Sequence, residues 1–195
     1  SEDLEKILLN SVEQQLISDV EVGSFLSGGI DSSLVSVLAS KVMKKKLNTF
    51  TISFSEKNYD ESIYAKHVAE KIKSNHHEIK ISKENIYSTI KQVGDCYDEP
   101  FADASQIPTM ILSDVTSKYV KVALSGDGGD ELFCGYNRYF WGDNIWSMIN
   151  LINPKLRTIV ANNLNKIPLS YLNIFYKLIR SISFGNFSIP NPEIK

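Results

Sequence analysis

A glycine-rich turn between a short apolar run and an amphipathic run constrains this chain more than any other feature. Val22, Phe25 and Leu26 predict a short buried strand, and the apolar residues between 34 and 42 recur at helical spacing. The turn itself, residues 27–32, has the sequence Ser-Gly-Gly-Ile-Asp-Ser. Such a turn gathers backbone N–H groups and the positive end of the helix dipole around one small volume. The sequence therefore predicts a phosphate-binding turn.

Two common phosphate-binding motifs do not match this turn. A P-loop requires G-x-x-x-x-G-K-[ST], but the turn contains no lysine, and the dinucleotide motif G-x-G-x-x-G is also absent. The pattern that is present, S-G-G-x-D-S, resembles the pyrophosphate loop of the ATP pyrophosphatases, which cleave ATP between its α- and β-phosphates. The alternative interpretation is an ordinary glycine-rich turn between a strand and a helix.

Length and composition limit the class of protein. A chain of 195 residues with 43% hydrophobic and 23% charged residues can bury one core, with room for a helical extension. No apolar segment is long enough to span a bilayer, and the N-terminal SEDLEKILLN lacks the layout of a signal peptide. The net charge of −2 argues against a nucleic-acid surface. We therefore expect a cytoplasmic protein without nucleic-acid or membrane partners.

Several conspicuous side chains have structural interpretations. Cys96 and Cys134 lack metal-ligand spacing and are expected to be free thiols. The lysines at 44–46 fall at the predicted C-terminal end of a helix, where cations complement the dipole. His76 and His77 stand at the start of a predicted strand, and we interpret them as structural rather than catalytic.

Strands and helices alternate along residues 1–140. This order indicates right-handed βαβ units on a parallel sheet. The run at 119–124 is almost continuously apolar, which is typical of the middle of a parallel sheet. From Trp141 onward the apolar spacing is helical, without strands, with helical runs at 156–164 and 171–182. The predicted strands cover residues 22–26, 49–54, 76–81 and 119–124.

The predicted fold class is therefore α/β, a parallel sheet flanked by helices with an all-helical C-terminal extension. The resemblance of the first turn to the PP-loop of the ATP pyrophosphatases implies, more narrowly, the adenine nucleotide alpha hydrolase-like fold.

A second glycine-rich, acidic turn follows the last predicted strand. Residues 125–131 have the sequence Ser-Gly-Asp-Gly-Gly-Asp-Glu. Ligands bind at the edge of an open α/β sheet where the carboxyl ends of the strands meet, so the two turns are expected to lie together. Mg²⁺ prefers one or two carboxylates together with phosphate oxygens, which favours Asp31 and Asp130 as ligands. As alternatives, Asp31 is a helix N-cap, Asp130 is a turn residue, and Asp127 is a competing ligand.

The two turns together resemble the synthetase domain of the glutamine-hydrolysing asparagine synthetases. The matching segments are 26–33 and 124–136, and the segments 51–54, 76–78 and 98–100 between them are also similar. The resemblance covers residues 1–140. It implies an ATP-dependent ligase that adenylates the side-chain carboxylate of aspartate and releases pyrophosphate, after which ammonia derived from glutamine attacks the acyl-adenylate.

The resemblance also implies site residues and two cofactors, ATP and Mg²⁺. Asp31 and Asp130 would hold the Mg²⁺, and Asp31, Asp130 and Glu131 are the predicted catalytic residues. The remaining predicted contacts are to the nucleotide. They are Leu26 and Ile52 beside the adenosine, Ser125 and Gly126 on the nucleotide, and Ser27, Gly28, Gly29, Asp31 and Ser32 around the pyrophosphate.

Two parts of the family's pattern are missing. The glutaminase half uses an N-terminal cysteine as nucleophile, whereas this chain begins with Ser1, and the family's downstream catalytic lysine is not found. We therefore expect a fragment with a synthetase domain at residues 1–140, a truncated helical extension at 141–195, and no glutaminase domain. Such a fragment is expected to be weak or inactive alone. Its expected partners are the glutaminase domain and small-molecule substrates, and a homodimer is left open.

Some alternatives stay open at this point. The acid could differ from aspartate, as in relatives that amidate sugar uronates or close a β-lactam, and a non-catalytic nucleotide-binding module is a further alternative. Asp98 and Glu99 lie in a loop expected to reach the active edge, where they either orient a substrate or cap the loop. Tyr136 and Arg138 either line the substrate pocket or stack on the core.

Overall fold

Four strands form one parallel sheet in a computed structural model that describes residues 2–55, 60–99 and 103–164. The order across the sheet is β3-β2-β1-β4, and the register places Phe25 beside Phe50 and Ser24 beside Leu124. The predicted parallel sheet is therefore confirmed. The strands are β1 (Val22–Phe25), β2 (Asn48–Ser53), β3 (Asn75–Lys80) and β4 (Val122–Leu124).

Helices flank this sheet. Helix α2 contacts β1 and also packs against α1 and α3, while α6 contacts β2 and has α4 beside it. None of the described helices is long and apolar enough to cross a membrane. The helices are α1 (Glu2–Gln15), α2 (Ile30–Val42), α3 (Ser62–Ile72), α4 (Lys83–Ile90), α5 (Val93–Cys96), α6 (Gln106–Thr116), α7 (Gly129–Phe133), α8 (Asn137–Asn150) and α9 (Pro154–Leu164).

The core consists of apolar residues that the helical and strand patterns place toward the sheet. One cluster joins Val12 of α1 to Leu38 and Ala39 of α2, and a second joins Leu26 to Ala65 and Ala69 of α3. At about 25 cal/mol for each Å² of apolar surface removed from water, burial of this kind is the main stabilising contribution. Helices α2 and α3 are thereby fixed beside the end of β1, where the first glycine-rich turn begins.

The fourth strand is shorter than its apolar sequence indicates, and it lies at an edge of the described sheet rather than in the middle. The backbone N–H groups of Tyr119 and Val120 both donate to the carbonyl oxygen of Thr116, at 2.9 and 3.0 Å. These residues therefore complete the end of α6, and pairing with β1 starts only at Val122. The prediction of a central strand from residue 119 was wrong because one apolar run serves both a helix end and a strand.

The chain divides into two compact units, Ser1–Gly135 and Tyr136–Lys195. The described part of the second unit consists of α8 and α9, which agrees with the predicted helical extension. Pro154 is the first residue of α9, a position where its missing N–H removes no helical hydrogen bond. The helical run at 171–182 lies outside the described residues, and the predicted domain boundary at residue 140 stays a prediction.

A buried pair of serines links β1 to α2 directly behind the first turn. Ser24 and Ser36 are both fully buried, and their hydroxyl oxygens lie 2.9 Å apart. We expect Ser24→Ala to lower the free energy of unfolding by about 1–3 kcal/mol, because it leaves the buried Ser36 hydroxyl without this partner. Urea unfolding of both single variants and the double variant would measure this.

The double variant Ser24→Ala/Ser36→Ala is expected to lose less stability than the two single variants together, because it leaves no hydroxyl unpaired. The exposed Ser88 on α4 provides a control, since Ser88→Ala removes only a local contact to its own helix. Strictly additive losses in the double variant would contradict a stabilising hydrogen bond between Ser24 and Ser36.

Candidate active site

The first glycine-rich turn is closed by its own serine side chains. The hydroxyl oxygens of Ser27 and Ser32 lie 2.9 Å apart, and the backbone N–H of Ser27 donates to the Ser32 hydroxyl at 3.2 Å. The N–H of Gly29 donates to the Ser27 hydroxyl, also at 3.2 Å. The turn thus has a defined shape at the N-terminus of α2, where the helix dipole favours anions.

Gly28 and Gly29 have different roles in this turn. Gly28 has a φ of +87°, and a Cβ on it would lie 2.6 Å from the backbone N of Ala65 and from the Cβ of Tyr64, so the turn packs tightly against α3. Gly29 is the N-cap of α2 and makes no side-chain cap. The alternative in which Asp31 caps the helix is therefore wrong, because Asp31 is already the second residue of α2.

The second glycine-rich turn joins β4 to the short helix α7. The hydroxyl of Ser125 donates to the Asp127 carboxylate at 2.9 Å and accepts from the Asp127 N–H at 3.4 Å. Gly128, at a φ of +87°, is the N-cap of α7. This arrangement places Asp130 in the first turn of α7.

The two turns lie in direct contact. A Cβ on Gly126 would be 2.7 Å from the backbone N of Ser32, and a Cβ on Gly129 would be 2.7 and 2.8 Å from the two carboxylate oxygens of Asp31. Only residues without side chains allow this approach. The predicted meeting of the two turns at the carboxyl ends of β1 and β4 is therefore observed.

A cleft of about 750 Å³ opens where the two turns meet, which is within the usual size range of small-molecule sites. Most of the predicted site residues line it. Two do not, among the residues that the structure describes: Gly28 packs on α3, and Glu131 is exposed on α7. The predicted residues that line the cleft are Leu26, Ser27, Gly29, Asp31, Ser32, Ile52, Ser125, Gly126 and Asp130.

Other lining residues were not predicted from the sequence. Phe50 and Phe54 stand two residues on either side of Ile52, so the period of two in a strand was an available signal for them. Thr109 and Leu112 come from α6, whose position over β2 has no local sequence signal. The others not assigned to the site are Phe25, Ile30, Thr51, Glu61, Gly129, Phe133 and Gly135, while Asp127, weighed only as a competing ligand, also lines the cleft.

The cleft has an apolar part and an acidic, glycine-rich part. Ile52 and Phe54 supply apolar surface suited to a planar ring, whereas Asp31 and Asp130 supply two carboxylates. Within the described ranges, no group of three or more His, Cys, Asp or Glu side chains could hold a metal ion unaided. Two carboxylates suit a hard divalent cation that takes its remaining oxygen ligands from phosphate and water.

The two adjacent histidines of β3 pack against residues of neighbouring elements. His76 Nδ1 lies 3.0 Å from the Thr49 hydroxyl, which lies 2.8 Å from the Ser74 hydroxyl. The His77 ring stacks on Phe50 with centroids 4.9 Å apart, and it lies 4.3 Å from the Tyr119 ring. Neither histidine is among the described residues that line the cleft, which agrees with a structural role.

Acid is expected to destabilise the fold through His76. Burial lowers the pKa of His76; Glu78 opposes this shift, and His77 and Lys66 add to it. As the pH falls below the ordinary histidine pKa of about 6.5, the unfolded chain takes up this proton first, so stability is lost toward the folded-state pKa. Urea unfolding between about pH 8 and pH 5 should show a smaller loss in His76→Gln. The exposed His67 supplies the control His67→Gln, and an unchanged pH dependence in His76→Gln would contradict this assignment.

The remaining sequence predictions concern the thiols, an acidic loop and an aromatic pair. Cys96 and Cys134 are free, as predicted, and both are exposed. Asp98 and Glu99 are exposed and do not line the cleft in the described part of the chain, so their roles stay predictions. In the second unit, the Arg138 guanidinium stacks 4.1 Å above the Tyr136 ring.

The parallel sheet flanked by helices, with two glycine-rich turns meeting at its carboxyl edge, has the adenine nucleotide alpha hydrolase-like fold. The NH3-dependent NAD synthetase from Campylobacter jejuni is similar in fold, with a TM-score of 0.50 and 15% sequence identity, covering 85% of this chain and 93% of that chain. The Asparagine synthase family model matches residues 3–180, and the chain belongs to this family.

Two relatives show how the chain relates to longer proteins. A glutamine-hydrolysing asparagine synthetase homologue of Methanocaldococcus jannaschii is 40% identical over 84% of this chain and 31% of its own length. Asparagine synthetase 1 (glutamine-hydrolysing) of Bacillus subtilis is 39% identical over 68% of this chain and 21% of its own length. The chain therefore spans a third or less of the curated relatives that it matches.

Proposed function

We propose that this chain is the ATP-binding and adenylating part of an amide-forming ligase that acts on the side-chain carboxylate of aspartate. One observation carries the proposal: a single cleft brings together both glycine-rich turns, with Asp31 on one and Asp130 on the other, in a member of the asparagine synthase family. ATP as cofactor, a glutaminase domain that supplies ammonia, and a cytoplasmic location are parts of this proposal.

The proposal assigns each part of the nucleotide to a different part of the cleft. Leu26 and Ile52 would flank the adenosine, and Ser125 and Gly126, which line the same cleft, would contact the nucleotide. The β- and γ-phosphates would lie at the first turn, where N–H groups and the start of α2 stabilise negative charge.

Asp31 and Asp130 are the proposed Mg²⁺ ligands, together with phosphate oxygens. The ion would neutralise the charge that develops on pyrophosphate as it leaves. Gly126 and Gly129 support this assignment, because their lack of side chains lets the second turn approach Asp31. Glu131, which follows Asp130 in α7, stays a predicted catalytic residue.

The reaction proceeds in two displacements. A carboxylate oxygen of aspartate attacks the α-phosphorus, the bond to the bridging oxygen breaks, and pyrophosphate leaves with the electron pair. The nitrogen of ammonia then attacks the acyl carbon, AMP leaves, and the nitrogen loses a proton. The positive end of the α2 dipole would favour the first step, because it stabilises charge that grows on pyrophosphate in the transition state.

The domain organisation is part of the same proposal. Residues 1–140 would form the adenylating domain and residues 141–195 a helical extension of it. Because the chain spans only part of its relatives, the complete reaction is expected of a longer protein that also contains a glutaminase domain. A homodimer is left open.

The products of ATP cleavage test the proposal. The chain, and a fusion that supplies the remaining length of the Bacillus subtilis relative, are incubated with ATP, Mg²⁺, ammonia and a panel of carboxylic acids. Release of AMP and pyrophosphate that depends on aspartate is expected, and hydroxylamine in place of ammonia should trap the acyl-adenylate as a hydroxamate. ADP as product would contradict adenylation. Turnover with a sugar uronate or another acid, and not with aspartate, would show that this acid is the substrate.

A further inference from the structure

We infer that Gly135 is a positioning residue that sets the direction of the Asp130 carboxylate. The inference deepens the proposed function and rests on it, because Asp130 is a proposed Mg²⁺ ligand there. Gly135 has no reactive group of its own. Its effect arises from the space that its missing side chain leaves for Asp130.

The Cα of Gly135 faces the Asp130 carboxylate directly. A Cβ on Gly135 would overlap Oδ1 of Asp130 and would lie 2.8 Å from its Cγ and 3.1 Å from its Cα. Both residues line the same cleft. Even the methyl group of alanine therefore cannot coexist with the observed position of the carboxylate.

The end of α7 brings Gly135 back to Asp130. Helix α7 ends at Phe133, and Cys134 takes a left-handed conformation with φ 58° and ψ 37°. This reversal lets the Gly135 N–H donate to the Asp130 carbonyl oxygen at 2.9 Å. The main chain of residue 135 is thus fixed relative to residue 130, so a Cβ at position 135 is accommodated by movement of the Asp130 side chain.

The need for glycine at this position is steric and not conformational. Among the described residues, the glycines with positive φ are Gly28 and Gly128, and Gly135 is not one of them. Gly128 is the opposite case, because its φ is +87° while a Cβ on it would meet nothing within 4 Å. Alanine at 135 therefore acts on its neighbour Asp130, whereas alanine at 128 strains its own backbone.

Gly135→Ala is expected to rotate the Asp130 carboxylate away from its present position and so weaken the binding of Mg²⁺ with ATP. Changes to residues that orient a metal ligand typically cost 10- to 100-fold in metal affinity. We therefore expect the Mg²⁺ concentration that half-saturates ATP binding to rise by about tenfold or more. A residue that only stabilised the fold would leave this concentration unchanged.

A double-mutant cycle provides the test. ATP binding is titrated with Mg²⁺ by calorimetry in the wild type, Gly135→Ala, Asp130→Ala and the double variant. The shift caused by Gly135→Ala is expected in the wild type and not in Asp130→Ala, where no carboxylate remains to be displaced. Gly94→Ala is the matched control, because a Cβ on Gly94 meets nothing within 4 Å.

Urea unfolding of the same four proteins without Mg²⁺ measures the effect of alanine at position 135 on stability separately from its effect on Mg²⁺ binding. Gly135→Ala should be destabilising in the wild type and nearly neutral in Asp130→Ala, since the same contact is responsible. An equal Mg²⁺ shift in both backgrounds, or none in a wild type that binds Mg²⁺ and ATP, would overturn the inference. ATP binding that does not depend on Mg²⁺ in the wild type would instead overturn the metal site of the proposed function.

Discussion

Asp31→Asn and Asp130→Asn are each expected to lower the rate of pyrophosphate release by about 10²–10³-fold. Metal coordination of a transferring phosphate contributes several kcal/mol to transition-state stabilisation, and each 1.4 kcal/mol corresponds to a factor of about ten. Asparagine keeps the size of the side chain and removes the charge. Pyrophosphate release would be measured in whichever of the chain and its fusion is active, together with the Mg²⁺ dependence of ATP binding.

Two further variants separate a metal role from a general effect of charge. Asp114 is exposed on α6 and pairs with Lys118, outside the cleft, so Asp114→Asn should leave the rate unchanged. Asp127→Asn examines a further carboxylate of the cleft, which Ser125 already engages. Pyrophosphate release that survives loss of the charge at Asp31 and at Asp130, but not at Asp127, would assign the metal to Asp127.

Gly28→Ala is expected to lower the free energy of unfolding by about 2–5 kcal/mol. A left-handed conformation costs a non-glycine residue about 1–2 kcal/mol. Overpacking adds about 1–3 kcal/mol. Here the Cβ would meet the backbone N of Ala65, which cannot move without disturbing α3. Urea unfolding followed by circular dichroism would measure the change.

The other glycines provide a graded comparison for Gly28. Gly128→Ala adds only conformational strain, because its φ is +87° and the surrounding space is open. Gly94→Ala adds neither strain nor contact. We therefore expect the loss of stability to be largest at Gly28, smaller at Gly128 and absent at Gly94. Equal losses at Gly28 and Gly128 would show that the contact with α3 contributes nothing to the loss in free energy of unfolding.

The elements of the fold could be predicted from the sequence because their signals are local. The predicted strand at 49–54 is observed at Asn48–Ser53. Ser82, a residue type that favours helix N-caps, forms a capping box with Asn85 at the start of α4. The meeting of the two turns followed from a rule about parallel sheets. That rule needs only the order of strands and helices.

Features that depend on distant parts of the chain could not be predicted. Thr109 and Leu112 line the cleft because α6 packs over β2, a contact between residues far apart in sequence. Tyr119 looked like part of a strand because its apolar neighbours give no sign of where α6 ends. Gly135 lies in the segment 124–136 that carries the resemblance, but its closeness to Asp130 emerges only from the left-handed conformation of Cys134 between them.

Because of its internal hydrogen bonds, the first turn takes its conformation when the chain folds and not when a ligand binds. The Ser27 and Ser32 hydroxyl oxygens lie 2.9 Å apart within the turn, and Gly28 fixes the turn against α3. The conformational entropy of the turn is therefore lost on folding and not on binding, which favours tighter association for a given set of contacts. An arriving phosphate meets a preorganised receptor, so differences in affinity between ligands should follow their charge and shape rather than their ability to order the loop.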